Sequence, residues 1–423
     1  MKYPRILFWC VGILMSFAMS TRTTAKDFVH SFGQNAHSLT MRATLTTDSV
    51  VGHVDSLTVD PDTTKHVLLA GDSSIKKAPR HITTYAELPN YPILKISGFS
   101  DIDFSASDAK GSKSGFSEGQ FDLQFASELS HKVDFLGELS LTARADAGEV
   151  AQLGMAAMPG FNAEVERAIV RYNLADYFKL SAGRYHTQLN YWNTAFHHGM
   201  WLQTTIGRPE MIKFGGEFLP VHFVGGLAEG TLGLGPIYAG YYAGLGNSRG
   251  NLISRAGDAG SNSNERALLG SVYIRPYAFR DFELGGAGFL DGVILHDGRR
   301  YDERIIAGHA VWTKEDPEVI TEYANVRHKT INGDSTFNSN AYYVQLAYRL
   351  PWFSSQLKPY YRYEVMQIDR LDNVFANVPD YVGYIIGIRY DFSELAAIKA
   401  EYRNQHYAGV AVNVAYAQIS YTF

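Results

Sequence analysis

From Ile93 to the last residue the chain alternates apolar and polar side chains in segments of about ten residues, broken by Gly, Asp, Asn, Pro or other polar punctuation. A period of two places neighbouring side chains on opposite faces of a strand, so a chain that keeps it this long is built from strands with one apolar and one polar face. One pair makes the point. Phe121, Leu123, Phe125 and Leu129 share a face, with Gln120, Asp122, Gln124 and Glu128 on the other. After His131 and Lys132 the pattern resumes with Val133, Phe135, Leu139 and Leu141 against Asp134, Glu138, Ser140 and Thr142. Two residues between alternating runs predict a tight hairpin.

About sixteen such segments can be counted, the sixth expected at 216–228 and the last at 411–423. Eight longer polar connections, among them 107–118, 186–215, 247–266 and 367–379, interleave with seven short turns. An even strand number with long loops at one end and short turns at the other predicts an all-β fold, a transmembrane antiparallel β-barrel over 91–423 with long external loops and short periplasmic turns. A soluble β-sandwich would also alternate. Against it, 13 of the 27 tyrosines fall between residues 340 and 423, where outward aromatics at strand ends form interfacial girdles. The chain also ends inside a strand, with Ile419, Tyr421 and Phe423 on one face and Gln418, Ser420 and Thr422 on the other. A net charge of only −5, without any basic block, excludes the electrostatic footprint of a nucleic-acid binder.

The first 25 residues read as a secretory signal peptide: Lys2 and Arg5 precede an apolar run from Ile6 to Met19, with cleavage expected after Ser20 or Ala25. Either cut removes Cys10, the single cysteine, and leaves an exported, thiol-free product. Residues 26–90 are rich in Ser, Thr, Asp and Lys and hold no period, which predicts a polar extension or linker.

A barrel of sixteen to eighteen strands leaves an aqueous channel, so transport is the expected activity and an enzyme is not. The inward phases carry Arg167, Arg171, Arg349, Lys358, Arg362, Arg389, Lys399 and Arg403, a basic excess in an otherwise acidic chain. Rings of Arg and Lys attract anions, but these residues form no dense regular ladder. A modest anion preference, with phosphate as one candidate, is therefore the expectation, and a channel specific for phosphate or oligosaccharides is the alternative. The third long connection is the most unusual segment. His186, Tyr191, Trp192, Phe196, His197, His198 and Trp201 crowd a stretch without period, too aromatic to stay in solvent, and its rings need something to bury against. Metal is not expected there, because adjacent histidines point apart in extended chain and no acidic residue is near in sequence. No H-E-x-x-H motif supports the alternative of a barrel hydrolase, and a surface adhesin would need large folded external domains. No cofactor is expected.

The run GRYHTQLNYWNTAFHHGMWLQTTIGRPE at 183–210, the segments NAYYVQLAYRLPW and LKPYYRYE, and the ending IKAEYRNQHY to AQISYTF resemble bacterial outer-membrane porins related to the phosphate-selective porin O/P family. The resemblance spans residues 93–423 and implies a sixteen-stranded channel, a homotrimer, basic lumen residues and a third external loop that folds inward and constricts the pore. The terminal Tyr421 and Phe423 resemble the signal that the barrel-assembly machinery reads. Outer-membrane lipids, that machinery and small anionic or neutral solutes are then the expected partners, with no nucleic acid.

Overall fold

The computed structural model describes residues 91–144, 160–197, 199–213, 217–250, 253, 257, 260 and 264–423. The signal peptide, Cys10, the extension at 26–90 and His198 lie outside the described residues. The chain divides after Pro89, and the unit beginning at Asn90 is the barrel.

Among the described residues, sixteen strands follow one another: β1 (Ile93–Ser107), β2 (Gly115–Ser130), β3 (Val133–Arg144), β4 (Gly160–Ala175), β5 (Phe178–His186), β6 (His222–Leu234), β7 (Ile237–Asn247) and β8 (Arg266–Pro276) make the first half. The second half is β9 (Phe282–Ile294), β10 (Arg300–Trp312), β11 (Glu318–Thr330), β12 (Thr336–Ala347), β13 (Leu357–Gln367), β14 (Tyr381–Ser393), β15 (Ala396–Tyr407) and β16 (Val410–Thr422). Each pairs antiparallel with its sequence neighbours, and β1 pairs with β16, so the sheet closes on itself and no strand edge is left unpaired. The seam is sealed at its end by Gly98 and Phe423, whose main chains exchange hydrogen bonds of 2.9 and 3.0 Å. The Phe423 ring packs beside Phe121 with centroids 5.7 Å apart.

The expected hairpin pairs as its pattern demands, with Gln124 opposite Glu138 and Leu123 opposite Leu139. Two expectations need correction. Strand β6 starts at His222 rather than 216, because Phe218, Leu219 and Val221 are apolar for a different reason: they are buried in the interior cluster as the preceding connection returns to the wall. The connections at one end are also not uniformly long, since 408–409 between β15 and β16 has two residues.

Side-chain phase separates the two faces. Leu268, Val272, Leu290, Ile306, Leu346 and Ile386 are exposed on the outside, an apolar wall that buries nothing of its own. The opposite face is not polar throughout. Leu269, Phe289, Ile305, Ile320 and Val326 on β8 to β11 point inward and join a buried cluster with Leu189, Ile212, Phe218 and Leu219 from the third connection at this end, 187–221. Burial of the aromatic-rich connection therefore takes place against the inside of the barrel, where apolar area removed from water stabilises by roughly 25 cal/mol per Å².

Candidate functional site

The third connection leaves β5 and returns to β6 through the barrel interior. Its base is pinned by the Thr187 N–H, which donates to the Val221 carbonyl at 2.9 Å. Asn193 Nδ2 donates to the same Val221 carbonyl and to that of Thr187, at 2.9 and 3.0 Å. Beyond this point it meets the inner faces of distant strands. Gly199 turns at φ 87°, a left-handed conformation suited to glycine, and a Cβ there would stand 3.0 Å from the Phe99 ring of β1. Further contacts reach β11, β13, β14 and β15. A segment that starts at β5 and touches inward residues of all these strands has to cross the lumen of a closed barrel.

A short helix, α1 (Tyr191–Phe196), begins the crossing. Asn190 caps it, with its side-chain oxygen accepting from the Asn193 N–H at 2.8 Å. Six residues are too few to hold a helix alone. The wall supplies what is missing: the Glu322 carboxylate of β11 accepts the Tyr191 and Trp192 N–H groups at 2.8 and 2.9 Å, two donors with no partner inside the helix. Trp192 is buried, and the Arg208 guanidinium lies over its ring at 5.2 Å from the centroid. Burial pushes the Tyr191 hydroxyl up to about 12, helped by nearby Glu283. Burial also lowers the Arg208 guanidinium to about 10, against the opposing pull of Glu166 and Asp122.

The far side of the crossing is held by charged side chains on main-chain groups. Arg362, only 1% exposed, donates to Thr205 Oγ1 at 2.8 Å and to the Gly207 and Arg208 carbonyls at 3.2 Å each, while its Nε pairs with Glu364 at 2.5 Å. Arg389 donates to the Trp201 and Gln203 carbonyls at 2.6 and 2.8 Å and pairs with Asp391 at 2.7 Å. Lys399, fully buried, donates to the Met200 carbonyl and, at 3.2 Å, to that of Thr205. Arg403 donates to the Ile206 carbonyl and pairs with Glu401 at 2.5 Å. Carboxylates take the N–H groups in turn, Glu401 from Ile206 at 2.9 Å and Glu364 from Glu210 at 2.8 Å. Such charge-assisted bonds are about twice as strong as neutral ones.

The other basic residues expected at the lumen are paired as well. Arg167 meets Glu138 at 2.7 Å, and Arg171 meets Glu229 at 2.9 Å and Asp134 at 3.3 Å. Lys358 meets Glu318 at 2.6 Å and Glu315 at 2.9 Å, and Arg349 bridges Glu315 and Asp391 at 2.6 Å each. Of the eight, seven face a carboxylate and the eighth, Lys399, serves loop carbonyls, so their positive charge is largely compensated where it stands.

The aromatic and histidine positions divide into two groups. Tyr191, Trp192, Phe196 and Trp201 lie on the crossing segment, with Arg389 over the Trp201 ring at 5.8 Å. His186 ends β5, and His197 follows α1. The two imidazoles stack with centroids 3.9 Å apart and 25° between planes. The reading that no acidic residue accompanies them is corrected here, because Glu166 of β4 and His222 of β6 complete a group whose candidate ligand atoms all lie within 4.8 Å of one another. Glu166 gets there through a β-bulge. Glu138 pairs with Arg167 and the next residue, Leu139, pairs with Val165, so Glu166 is the extra residue and Glu164, Glu166 and Arg167 all meet inward groups. Tyr421 and Phe423 lie on the outward phase of β16 and at its end, away from this interior.

The acidic anchors Glu318, Glu322, Glu364 and Glu401 are buried on the inward side of their strands, and nothing in the sequence says that a loop would use them. A second interior network was missed: His328 Nδ1 lies 2.6 Å from Asp372 in the connection 368–380, its Nε2 3.0 Å from Glu303, and Arg249 meets the same Glu303 oxygen at 2.7 Å.

No protein-family model matches the chain, and no curated protein matches it in sequence. Among solved structures it is similar to an anion-selective porin from Comamonas acidovorans, at 13% identity and a TM-score of 0.55 over 78% of this chain and 100% of that one. It is similar to Salmonella typhi OmpF in complex with daunomycin, at 14% identity and TM-score 0.52 over 78% and 97%. It is also similar to the trimer form of OmpT, an outer membrane protein of Vibrio cholerae, at 12% identity and TM-score 0.51 over 78% and 99%. These likenesses establish the barrel fold.

Proposed function

We propose that the chain is an outer-membrane porin, a passive diffusion channel for small hydrophilic solutes whose passage is narrowed by residues 187–221. The observation that carries this reading is the crossing segment itself. A barrel with an apolar outside and a polar main chain fixed across its interior is suited to bilayer insertion and to sieving by size. Neutral and small charged solutes fit such a constriction. The anion preference expected from the basic residues enters in weakened form, since those residues are compensated by carboxylates and their residual field is screened within about 8 Å at physiological salt. A relation to the phosphate-selective O/P porins, export by a cleaved signal peptide, assembly through the terminal Tyr421 and Phe423, and a homotrimeric state belong to the same proposal; the trimer form of the structurally similar OmpT supports the last of these, and the anion-selective porin among the similar folds supports the weak anion preference. No catalytic step is proposed.

Liposome swelling tests it. Proteoliposomes in isotonic sugar solutions are expected to swell at rates that fall steadily with solute size and do not depend on stereochemistry. Swelling no faster than in protein-free vesicles, with the barrel shown to be folded, would overturn the proposal, whereas uptake of a single sugar would favour the substrate-specific alternative.

A further inference from the structure

The group beneath α1 has no part in solute passage as argued above, and its chemistry points elsewhere. Hydrogen bonding fixes two of its three imidazoles. Asn193 uses its Nδ2 on the Thr187 and Val221 carbonyls, so its Oδ1 is an acceptor, and His197 Nδ1, 2.6 Å away, carries the proton. His197 Nε2 therefore holds a lone pair, and it faces Glu166 Oε2 at 3.8 Å. His222 is set the other way. Arg184 can only donate, so His222 Nδ1 accepts from it at 3.1 Å, which leaves the proton on Nε2, and that nitrogen lies 2.7 Å from Glu166 Oε2. His186 stacks on His197, and its Nε2 is 3.3 Å from Glu138. The charges nearby are partitioned: Arg167 meets Glu138 and Arg184 meets Glu164, each at 2.7 Å, and Glu166 stands 3.4 Å from Arg184.

We propose that Glu166, His186 and His197 bind one divalent cation of borderline softness, typified by Zn2+, with His222 orienting the carboxylate. Two imidazoles and a carboxylate are the donor types such ions select. Tetrahedral coordination at about 2.0–2.1 Å needs ligand atoms roughly 3.4 Å apart, so a set within 4.8 Å closes by small side-chain rotations. The outer partners follow the usual pattern, in which the second ring nitrogen of a ligand histidine donates to a fixed oxygen, here Asn193 on His197. The three ligands come from β4, the end of β5 and the residue after α1. A bound ion thus cross-links the start of the crossing segment to the wall, and the fourth coordination position is left for water.

The test is calorimetric titration of Zn2+ into the full chain, folded in detergent and stripped with EDTA, with Co2+ titrated in parallel and read by visible absorption. We expect one equivalent within the barrel, a Co2+ spectrum of nitrogen and oxygen ligation, and a Zn2+-dependent rise in melting temperature. His197→Gln and His186→Gln each remove that equivalent and the rise. His131→Ala, in the exposed turn after β2, leaves both unchanged. Because the unsubstituted chain provides the spectrum and the melting shift, the proposal does not depend on the variants folding. No Zn2+-dependent shift in the unsubstituted chain, or a shift that survives in folded His197→Gln and His186→Gln, overturns it.

Discussion

Arg362 shows what an inward charge does in this barrel. Read from its phase alone, it is a cation facing water. In the structure it is buried, paired with Glu364 and bonded to three residues of the crossing segment. Removing one member of a buried pair leaves the other uncompensated, which typically costs about 3–5 kcal/mol. Arg362→Met is accordingly expected to lower stability by about that amount in urea unfolding and to increase current noise as the segment loosens. Alternation identified Arg362 as inward because phase is a local property. Its partners, Thr205 to Arg208, are more than 150 positions away in sequence and belong to a stretch without period, so no local rule joins them. A second residue reports on the opposite end. Burial works against ionisation of Glu315, but hydrogen bonds from Arg349 and the charge of Lys358 outweigh it and bring the carboxyl from 4.5 down to about 2. A lowered carboxylate contributes stability that is complete above its unfolded value and lost as pH falls through its folded one. Glu315→Gln is therefore expected to melt below the parent at pH 7, with the gap closing as pH falls from 4.5 towards 2. The gap is small, because Glu315 is 41% exposed and solvent screens the pair. A gap that stays constant across this window would contradict the assignment.

The crossing segment as a unit is the element on which the proposed function turns. Composition singles it out as unfit for solvent, since seven aromatic or histidine side chains in sixteen residues cannot remain hydrated at no cost. Where they go depends on the wall, and the wall departs from simple alternation at the needed places. The bulge at Glu166 turns an extra carboxylate inward, and a count by twos through β4 passes over it. The apolar run before β6 mimics a strand start and hides the end of the segment. Deleting residues 190–200 removes α1 and its anchors on Glu322 while leaving β5 paired to β6. The shortened protein is expected to conduct more and to admit larger sugars in liposome swelling. Unchanged conductance would mean that the segment does not bound the passage.

Closure of sixteen strands into one barrel follows from features that extend over the whole chain: the repeat of alternating segments, the pairing of consecutive strands, and a last strand that finds the first. The apolar outer wall is the counterpart of that closure, and its environment can be probed directly. Ile386, 59% exposed near the middle of β14, faces outward. If lipid covers it, Ile386→Arg should destabilise by about 2–4 kcal/mol in folding titrations into bilayers, and by near zero if water does. Passive conduction through an interior narrowed by residues 187–221 is tested most directly by single-channel recording in planar bilayers under a salt gradient. Stable unliganded conductance is predicted, with a reversal potential showing slight anion preference that fades as salt rises. Silence from protein verified as folded, or strong selectivity that persists in concentrated salt, would contradict it.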